Sequence, residues 1–589
     1  MEHVFNSYLK KRYIKPAKRF LLHGLTISLI FFITSVITVN SIFAQERPSA
    51  KLVTSKNGMV VSQQYLATQA GVEILKEGGN AVDAAVTIGF TLAVTLPTAG
   101  NLGGGGFMVA HLAGTGQTIA IDYREKAPGA AYRDMFLDEN GDHDTTKSEH
   151  SYWAVGVPGT VAGLTLALEK YGTISLARVL RPAIDLAENG FTVDEYLHDS
   201  LAWAKKRLEI SPASMAIFYK ENGELYEVGE TLVQKDLAWS LKQIRDNGPD
   251  AFYRGKIADK IAADMEKHGG LITKEDLAVY RPAEREPVHS TYRGYEIYSM
   301  PPPSSGGVHV IQMLNLLEAY PKGFYGHNTA PTVNLMAECM KLAFADRSKY
   351  LGDPDYVPVP VDGLISKSYA ESLRPKINLK RTTPSDRIYP GNPPGYESDQ
   401  TTHYSVMDRF GNAVSNTYTL NFGYGTGITA EGTGILLNNE MDDFSAKPGS
   451  PNADGLLGGT FNAIEPQKRM LSSMTPTLVL KDGRAFIATG SPGSSRIINS
   501  TLQIILNVID HNMNIAEATG ALRIHHQWKP DRLRVEKGFD ENVLETLREM
   551  GHEIEVIDGI GVTQSVMRVG DTLYGAADPR SSSSLAEGY

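Results

Sequence analysis

Thr401 stands where the character of the chain changes abruptly. Upstream, between 352 and 400, Pro354, Pro358, Pro360, Pro384, Pro390, Pro393 and Pro394 break any apolar periodicity, which predicts an extended, mobile surface loop. Downstream, Thr402 to Asp408 alternates polar and apolar residues in the manner of a strand. A hydroxyl at such a junction could attack the preceding carbonyl, that of Gln400. An N-to-O acyl shift followed by hydrolysis would then leave Thr401 with a free α-amino group. That amine has a reference pKa of about 7.7–8.0, so part of it is neutral near neutral pH and can serve the hydroxyl as general base. No catalytic histidine is needed, and His403 reads as a strand side chain. On geometry alone a threonine at the start of a strand is most simply structural.

The elements that would position Thr401 can be read on either side of it. Ala413 to Leu420 alternates again after a Gly-Asn turn at Arg409 to Asn412, which makes a β-hairpin. Pairing Asp408 with Ala413 puts Thr401 opposite Leu420, and a one-residue slip puts it opposite Thr419; either register keeps Thr401 and Thr419 within cross-strand reach. Thr475 to Leu480 and Arg484 to Ala488 form a second hairpin about Asp482-Gly483, returning Ser472 and Ser473 beside Gly493 and Pro492. Ser494-Ser495 can then cap a helix whose apolar face is Ile497, Ile498, Ile505, Val508 and Ile509. The free N–H groups at that helix start offer an oxyanion site. Earlier, Ser62 to Gly79 and Ala81 to Leu96 read as a buried helical layer, and helix signals recur at Val161 to Tyr171 and Thr332 to Lys349. The glycine run from Ala99 to Phe107 lacks the Gly-Lys-Ser/Thr ending of a phosphate cradle and reads as tight backbone packing.

Composition narrows the function classes. The chain has 589 residues, 42% hydrophobic and 21% charged, with a net charge of -10, which fits a folded globular protein and argues against nucleic acid as the default partner. A single cysteine, Cys339, excludes an intramolecular disulfide framework and reads as a buried helix residue. The first 44 residues differ from the rest. Lys10, Lys11, Arg12, Lys15, Lys18 and Arg19 precede an apolar run from Gly24 to Val39, and Ser-Ile-Phe-Ala ends at Ala44. This is the layout of an export signal, with an uncleaved anchor as the alternative; both put the remaining chain outside the cytoplasm, periplasmic or secreted.

Residues 400 to 444, QTTHYSVMDRFGNAVSNTYTLNFGYGTGITAEGTGILLNNEMDDF, closely resemble the start of the small subunit of the γ-glutamyltransferases. Further matches follow in order: GGNAVDAAV at 78 to 86, GNLGGGGF at 100 to 107, DYREKAP at 122 to 128, KRMLSSMTPT at 468 to 477, TGSPGSSRI at 489 to 497, HHQWKPDRLRVEKGF at 525 to 539 and YGAADPRS at 574 to 581. The resemblance implies an α+β fold, the four-layer αββα sandwich of N-terminal-nucleophile hydrolases. It also implies a signal over 1 to 44, a large subunit over 45 to 400 and a small catalytic subunit over 401 to 589, together forming one compact unit.

By the same resemblance Thr401 is the nucleophile freed by autoproteolysis, and Thr419 orients it. Arg124, Ser472 and Ser473 match residues that bind the α-carboxylate of a γ-glutamyl group, where a planar guanidinium suits a carboxylate. Asn421, Glu440 and Asp443 match those that bind its α-ammonium, and the Gly493-Ser494 backbone matches the oxyanion hole. The implied reaction cleaves glutathione or related compounds and passes the γ-glutamyl group to water, an amino acid or a dipeptide, without cofactor or metal. His525-His526 point apart, as adjacent positions do, and lack a spaced third ligand. Two positions depart from the pattern: Ser494 stands where a second glycine is common, and Asp454 near where a bacterial lid carries an aromatic. An enzyme of the same superfamily with another acyl specificity, such as a cephalosporin acylase or a poly-γ-glutamate depolymerase, and an exported binding protein that has lost turnover are the rival readings.

Overall fold

In the computed structural model the described residues are 49–391, 402–447, 449 and 456–589. Residues 1–44, expected to be an export signal, and Gln400, Thr401 and Asp454 lie outside them. Two seven-stranded sheets form the centre. The first runs, in spatial order, Leu585–Gly588, Gly58–Ser62, Thr402–Asp408, Ala413–Thr419, Gly105–Leu112, Gln117–Tyr123 and Ala283–Arg285. The second runs Val53–Ser55, Thr572–Ala577, Gln564–Val569, Arg484–Thr489, Thr477–Lys481, Tyr295–Ser299 and Val288–Tyr292. All their ladders are antiparallel.

The period-two alternation of side chains sorts each strand between two cores. Met59, Val61, Phe107, Val109 and Met407 meet Leu478, Leu480, Ala488 and Val566 between the sheets. Val60, Tyr404, Val406 and Val414 face the other way, onto helices Tyr65–Lys76 and Ala81–Thr95. The outer face of the second sheet packs on helices Gly306–Leu317, Ala330–Tyr350 and Arg496–Ile509 through Ile297, Val479 and Ile487. The result is the expected four layers, αββα. Helix Ala81–Thr95 is buried at every position, which its almost continuous apolar sequence requires.

The first hairpin pairs Met407 with Ala413 and Thr402 with Tyr418. This is the slipped register of the two considered, and pairing Asp408 with Ala413 is overturned. The Asp408 carboxylate explains the slip: it accepts from the N–H groups of Phe410 at 2.8 Å and Asn412 at 3.0 Å, so Asp408, which still pairs with Gly58 on its other side, closes the turn instead of pairing with Ala413. The second hairpin begins at Thr477 rather than Thr475, and the register shifts between Val479 and Leu480. Asp482 and Gly483 both have positive φ, 52° and 72°, as a two-residue turn of this hand needs. The paired ladder ends at Thr477 and Thr489, short of Ser472, Ser473 and Gly493. Ser472 forms a parallel bridge to Ser304.

The loop expected from 352 onward is also corrected. Up to residue 391 it contains helical turns Val361–Leu364 and Lys367–Leu373, with Leu364, Ala370, Leu373 and Ile388 buried. Pro360 stands just before the first of these turns and Pro384 before the 3-10 turn Ser385–Arg387, where a missing N–H costs little. Cys339 is buried in its helix, and burial pushes its thiol up. No helix among the described residues is long and apolar enough to cross a membrane.

Candidate active site

The end of the first hairpin is fixed by the glycine loop. Thr419 pairs with Gly105, and its carbonyl accepts from Asn101 Nδ2 at 2.7 Å. A Cβ on Gly104 would fall 1.9 Å from that same carbonyl oxygen, so only glycine admits the approach. Thr419 Oγ1 accepts from the Asn421 N–H at 2.8 Å, and Asn421 itself turns at φ +72°. Across from them, the chain enters helix Arg496–Ile509 through Gly493 at φ +125° and Ser494 at φ +59°. Thr419, Asn421, Gly493 and Ser494 line one cleft of about 750 Å³, together with Gln63, Phe422 and one face of helix Glu195–Leu208.

Behind Asn421 lies a buried charged cluster. Arg124, at the end of strand Gln117–Tyr123, is fully buried. Its Nη1 pairs with Glu440 Oε1, its Nη2 with Asp443 Oδ2 at 2.5 Å, and Nη2 also donates to the Leu471 carbonyl at 3.1 Å. Glu440 and Asp443 belong to one 3-10 turn, Glu440–Asp443, in which positions three apart eclipse, so both acids face the guanidinium. Glu125 Oε2 lies 3.6 Å from Arg124 Nη1. Asn421 Nδ2 donates to the Asn439 carbonyl at 3.0 Å, which joins the cleft to the cluster. Ser472 and Ser473 follow Leu471; the Ser305 N–H donates to the Ser472 carbonyl at 2.9 Å.

Three carboxylates around one guanidinium shape the local charge. Burial works against the Arg124 cation, but Glu440, Asp443 and Glu125 outweigh it and hold its pKa above the ordinary value. Burial pushes Glu125 up to about 7 despite Arg124, and pushes Glu440 well above the usual carboxylate range. Asn421 Oδ1 and Ser473 Oγ are buried with no hydrogen-bond partner, whereas the Glu440 carboxyl hydrogen-bonds that of Glu125. Buried polar atoms are rarely left without a partner, and two from separate stretches of chain mark a place built to receive a polar group.

The family model described as Gamma-glutamyltranspeptidase matches residues 67–588. This chain belongs to the gamma-glutamyltranspeptidase family. The Glutathione hydrolase proenzyme of Escherichia coli (strain K12) is 56% identical over 539 residues, covering 91% of this chain and 93% of that protein. Among solved structures, cephalosporin acylase from Bacillus halodurans is similar with a TM-score of 0.80 at 30% identity, over 93% of this chain and 98% of the acylase. The Helicobacter pylori gamma-Glutamyltranspeptidase has a TM-score of 0.56 at 48% identity, over 57% of this chain and 96% of that one.

Of the ten positions matched to the gamma-glutamyltranspeptidase pattern, Thr419, Asn421, Gly493 and Ser494 line the cleft. Arg124, Glu440 and Asp443 form the cluster, Ser472 and Ser473 adjoin it, and Thr401 lies outside the described residues. His403 is buried between the sheets, with Nδ1 2.9 Å from Thr417 Oγ1 and Nε2 2.9 Å from Ser405 Oγ. Burial lowers its pKa to about 3, so it stays neutral, as a strand side chain would. His525 and His526 turn to different partners, Asn499 and Asp531. Sequence reasoning missed Glu125, whose only signal was adjacency to Arg124. It also missed the helix face Tyr196, Asp199, Ser200, Trp203 and Arg207, which the i, i+3, i+4, i+7, i+11 spacing could have revealed.

Proposed function

We propose that the protein is a self-processing γ-glutamyltransferase, a glutathione hydrolase, in which Thr401 is freed by cleavage after Gln400 and then attacks the γ-carbonyl of glutathione or a related compound. The reading is carried by one observation: Thr419, Asn421, Gly493 and Ser494 share a cleft that Asn439 ties to the Arg124–Glu440–Asp443 cluster. Thr402 opposite Tyr418 supports Thr419 as the residue that orients the Thr401 hydroxyl. The free amine takes the hydroxyl proton as the ester C–O bond forms, and returns it to the leaving nitrogen as the amide C–N bond breaks. The Gly493-Ser494 backbone stabilises the oxyanion. Arg124, Ser472 and Ser473 hold the donor's α-carboxylate, and Asn421, Glu440 and Asp443 its α-ammonium. A zwitterion entering there meets charges already paired with each other, so it replaces partners rather than stranding them.

Water, an amino acid or a dipeptide then takes the acyl group. Residues 45–400 and 401–589 are the two subunits, and the segment 1–44 exports the precursor to the periplasm or beyond. The likeness to a cephalosporin acylase supports a second reading, an acylase on the same scaffold. A paired acid and guanidinium set suits a free amino-acid head better than a diacid chain.

A denaturing gel with N-terminal sequencing tests the nucleophile. The small chain has 589 − 400 = 189 residues; at 64.2 kDa for the whole chain it runs near 20 kDa and begins Thr-Thr-His-Tyr. A chain that stays intact would reject the assignment. Activity on glutathione against glutaryl amides separates the two readings.

A further inference from the structure

Helix Glu195–Leu208 carries five residues on one stripe, Tyr196, Asp199, Ser200, Trp203 and Arg207, all lining the cleft opposite Gly493 and Ser494. Arg207 is held in a particular way. Its guanidinium lies 5.4 Å from the ring centre of Trp203 and 5.3 Å from that of Phe422, and Nη1 donates to the Gly423 carbonyl at 2.7 Å. Among the described residues it forms no ion pair. Glu149 is the acid whose charge acts on it, without outweighing the effect of burial, and Asp199, eight residues earlier, is about 12 Å away along the helix axis. Of the cleft's other arginines, Arg580 is paired with Glu536 and Asp578, and Arg496 donates through Nε to the Gly493 carbonyl at 3.2 Å. Trp203, 66% exposed, forms the lip between this cleft and a neighbouring cavity of about 400 Å³ that Arg207 also lines. A fixed guanidinium between two rings, with donors left over, is suited to a carboxylate.

We propose that Arg207, clamped by Trp203 and Phe422, binds the carboxylate of the peptide half of the reaction: the leaving peptide of the donor and, afterwards, the amino-acid or dipeptide acceptor. This rests on the γ-glutamyl transfer reading above. Both peptides present their amine to the same acyl carbon, one departing and one arriving, so one subsite serves both. Phe422 follows Asn421 directly, so the carboxylate end of the peptide is registered against the donor site by a single stretch of backbone.

The test compares kcat/KM for glutathione and for glutathione amidated at its glycyl carboxylate, in the wild type, Arg207→Gln and Arg207→Lys. A charge-assisted contact predicts that the wild type favours the acid by about tenfold or more. The Gln variant brings that ratio near one, and the Lys variant keeps part of it. Self-cleavage into two chains reports that each variant has folded. An unchanged ratio in Arg207→Gln, or a wild type indifferent to amidation, overturns the proposal, because an arginine that only anchored Gly423 would affect both substrates alike. A wild type that turns over neither compound, nor a γ-glutamyl anilide, brings down the transfer reading itself.

Discussion

Replacing Thr401 by alanine removes the hydroxyl proposed to drive both self-cleavage and transfer, so Thr401→Ala is expected to remain one chain on a denaturing gel and to be inactive; any cleavage would sink the assignment. Arg124→Lys keeps a cation among Glu440, Asp443 and Glu125 but loses the planar fork. It should still cleave itself, while KM for glutathione rises about tenfold or more, as loss of a charge-assisted bidentate contact implies. Truncation to alanine is a poorer probe, since it strands buried acids at a cost of about 3–5 kcal/mol. Ser494 holds φ +59°, a region that costs a non-glycine residue about 1–2 kcal/mol, and its Oγ is buried without a partner. Ser494→Gly is therefore expected to raise unfolding free energy by about 1 kcal/mol in urea; a loss would mean that the hydroxyl contributes a contact of its own. At this scale the sequence was most legible where long motifs carried it. Arg124 could be matched to a role, but its pairing with Glu440 and Asp443 could not be foreseen, because residues 124, 440 and 443 are neighbours only through the fold.

The first hairpin depends on two conditions around it. One is the glycine loop: Gly104→Ala forces a methyl against the Thr419 carbonyl, and backbone cannot yield as a flexible side chain can. The variant should lose self-cleavage, or cleave many times more slowly, as followed on gels over days. The other is a neutral His403. Its folded pKa, about 3, lies below the ordinary 6.5, so its contribution to stability is present above pH 6.5 and is lost as pH falls toward 3. In the uncleaved Thr401→Ala background, where unfolding stays unimolecular, the stability gap between His403 and His403→Gln should shrink by about 2 kcal/mol from pH 6.5 to 5. A gap independent of pH would show that the imidazole is already charged in the folded state. Hairpins were legible because alternation and turn residues are local. The register was not, since it turned on the hydrogen bonds of the Asp408 carboxylate, and the shift between Val479 and Leu480 has no signal in the alternation of the second hairpin.

Strands on either side of residue 401 interleave in both sheets. Gly58–Ser62 lies between Leu585–Gly588 and Thr402–Asp408, Gly105–Leu112 pairs with Ala413–Thr419, Val53–Ser55 pairs with Thr572–Ala577, and Tyr295–Ser299 pairs with Thr477–Lys481. A chain cut after Gln400 should therefore elute in size exclusion as one species of the full mass and separate only in denaturant. Release of the 189-residue piece under native conditions would contradict this. The layered fold was legible in outline from the all-apolar helix and the two hairpins. The interleaving was not, because it pairs residues hundreds of positions apart. The helix Glu195–Leu208 stands apart from that weave: it supplies a whole wall of the cleft and no strand of either sheet. A wall encoded by fourteen consecutive residues can be exchanged as a cassette, so partner choice can drift between lineages, or be grafted by design, while the machinery that cuts the chain and forms the acyl bond is inherited untouched.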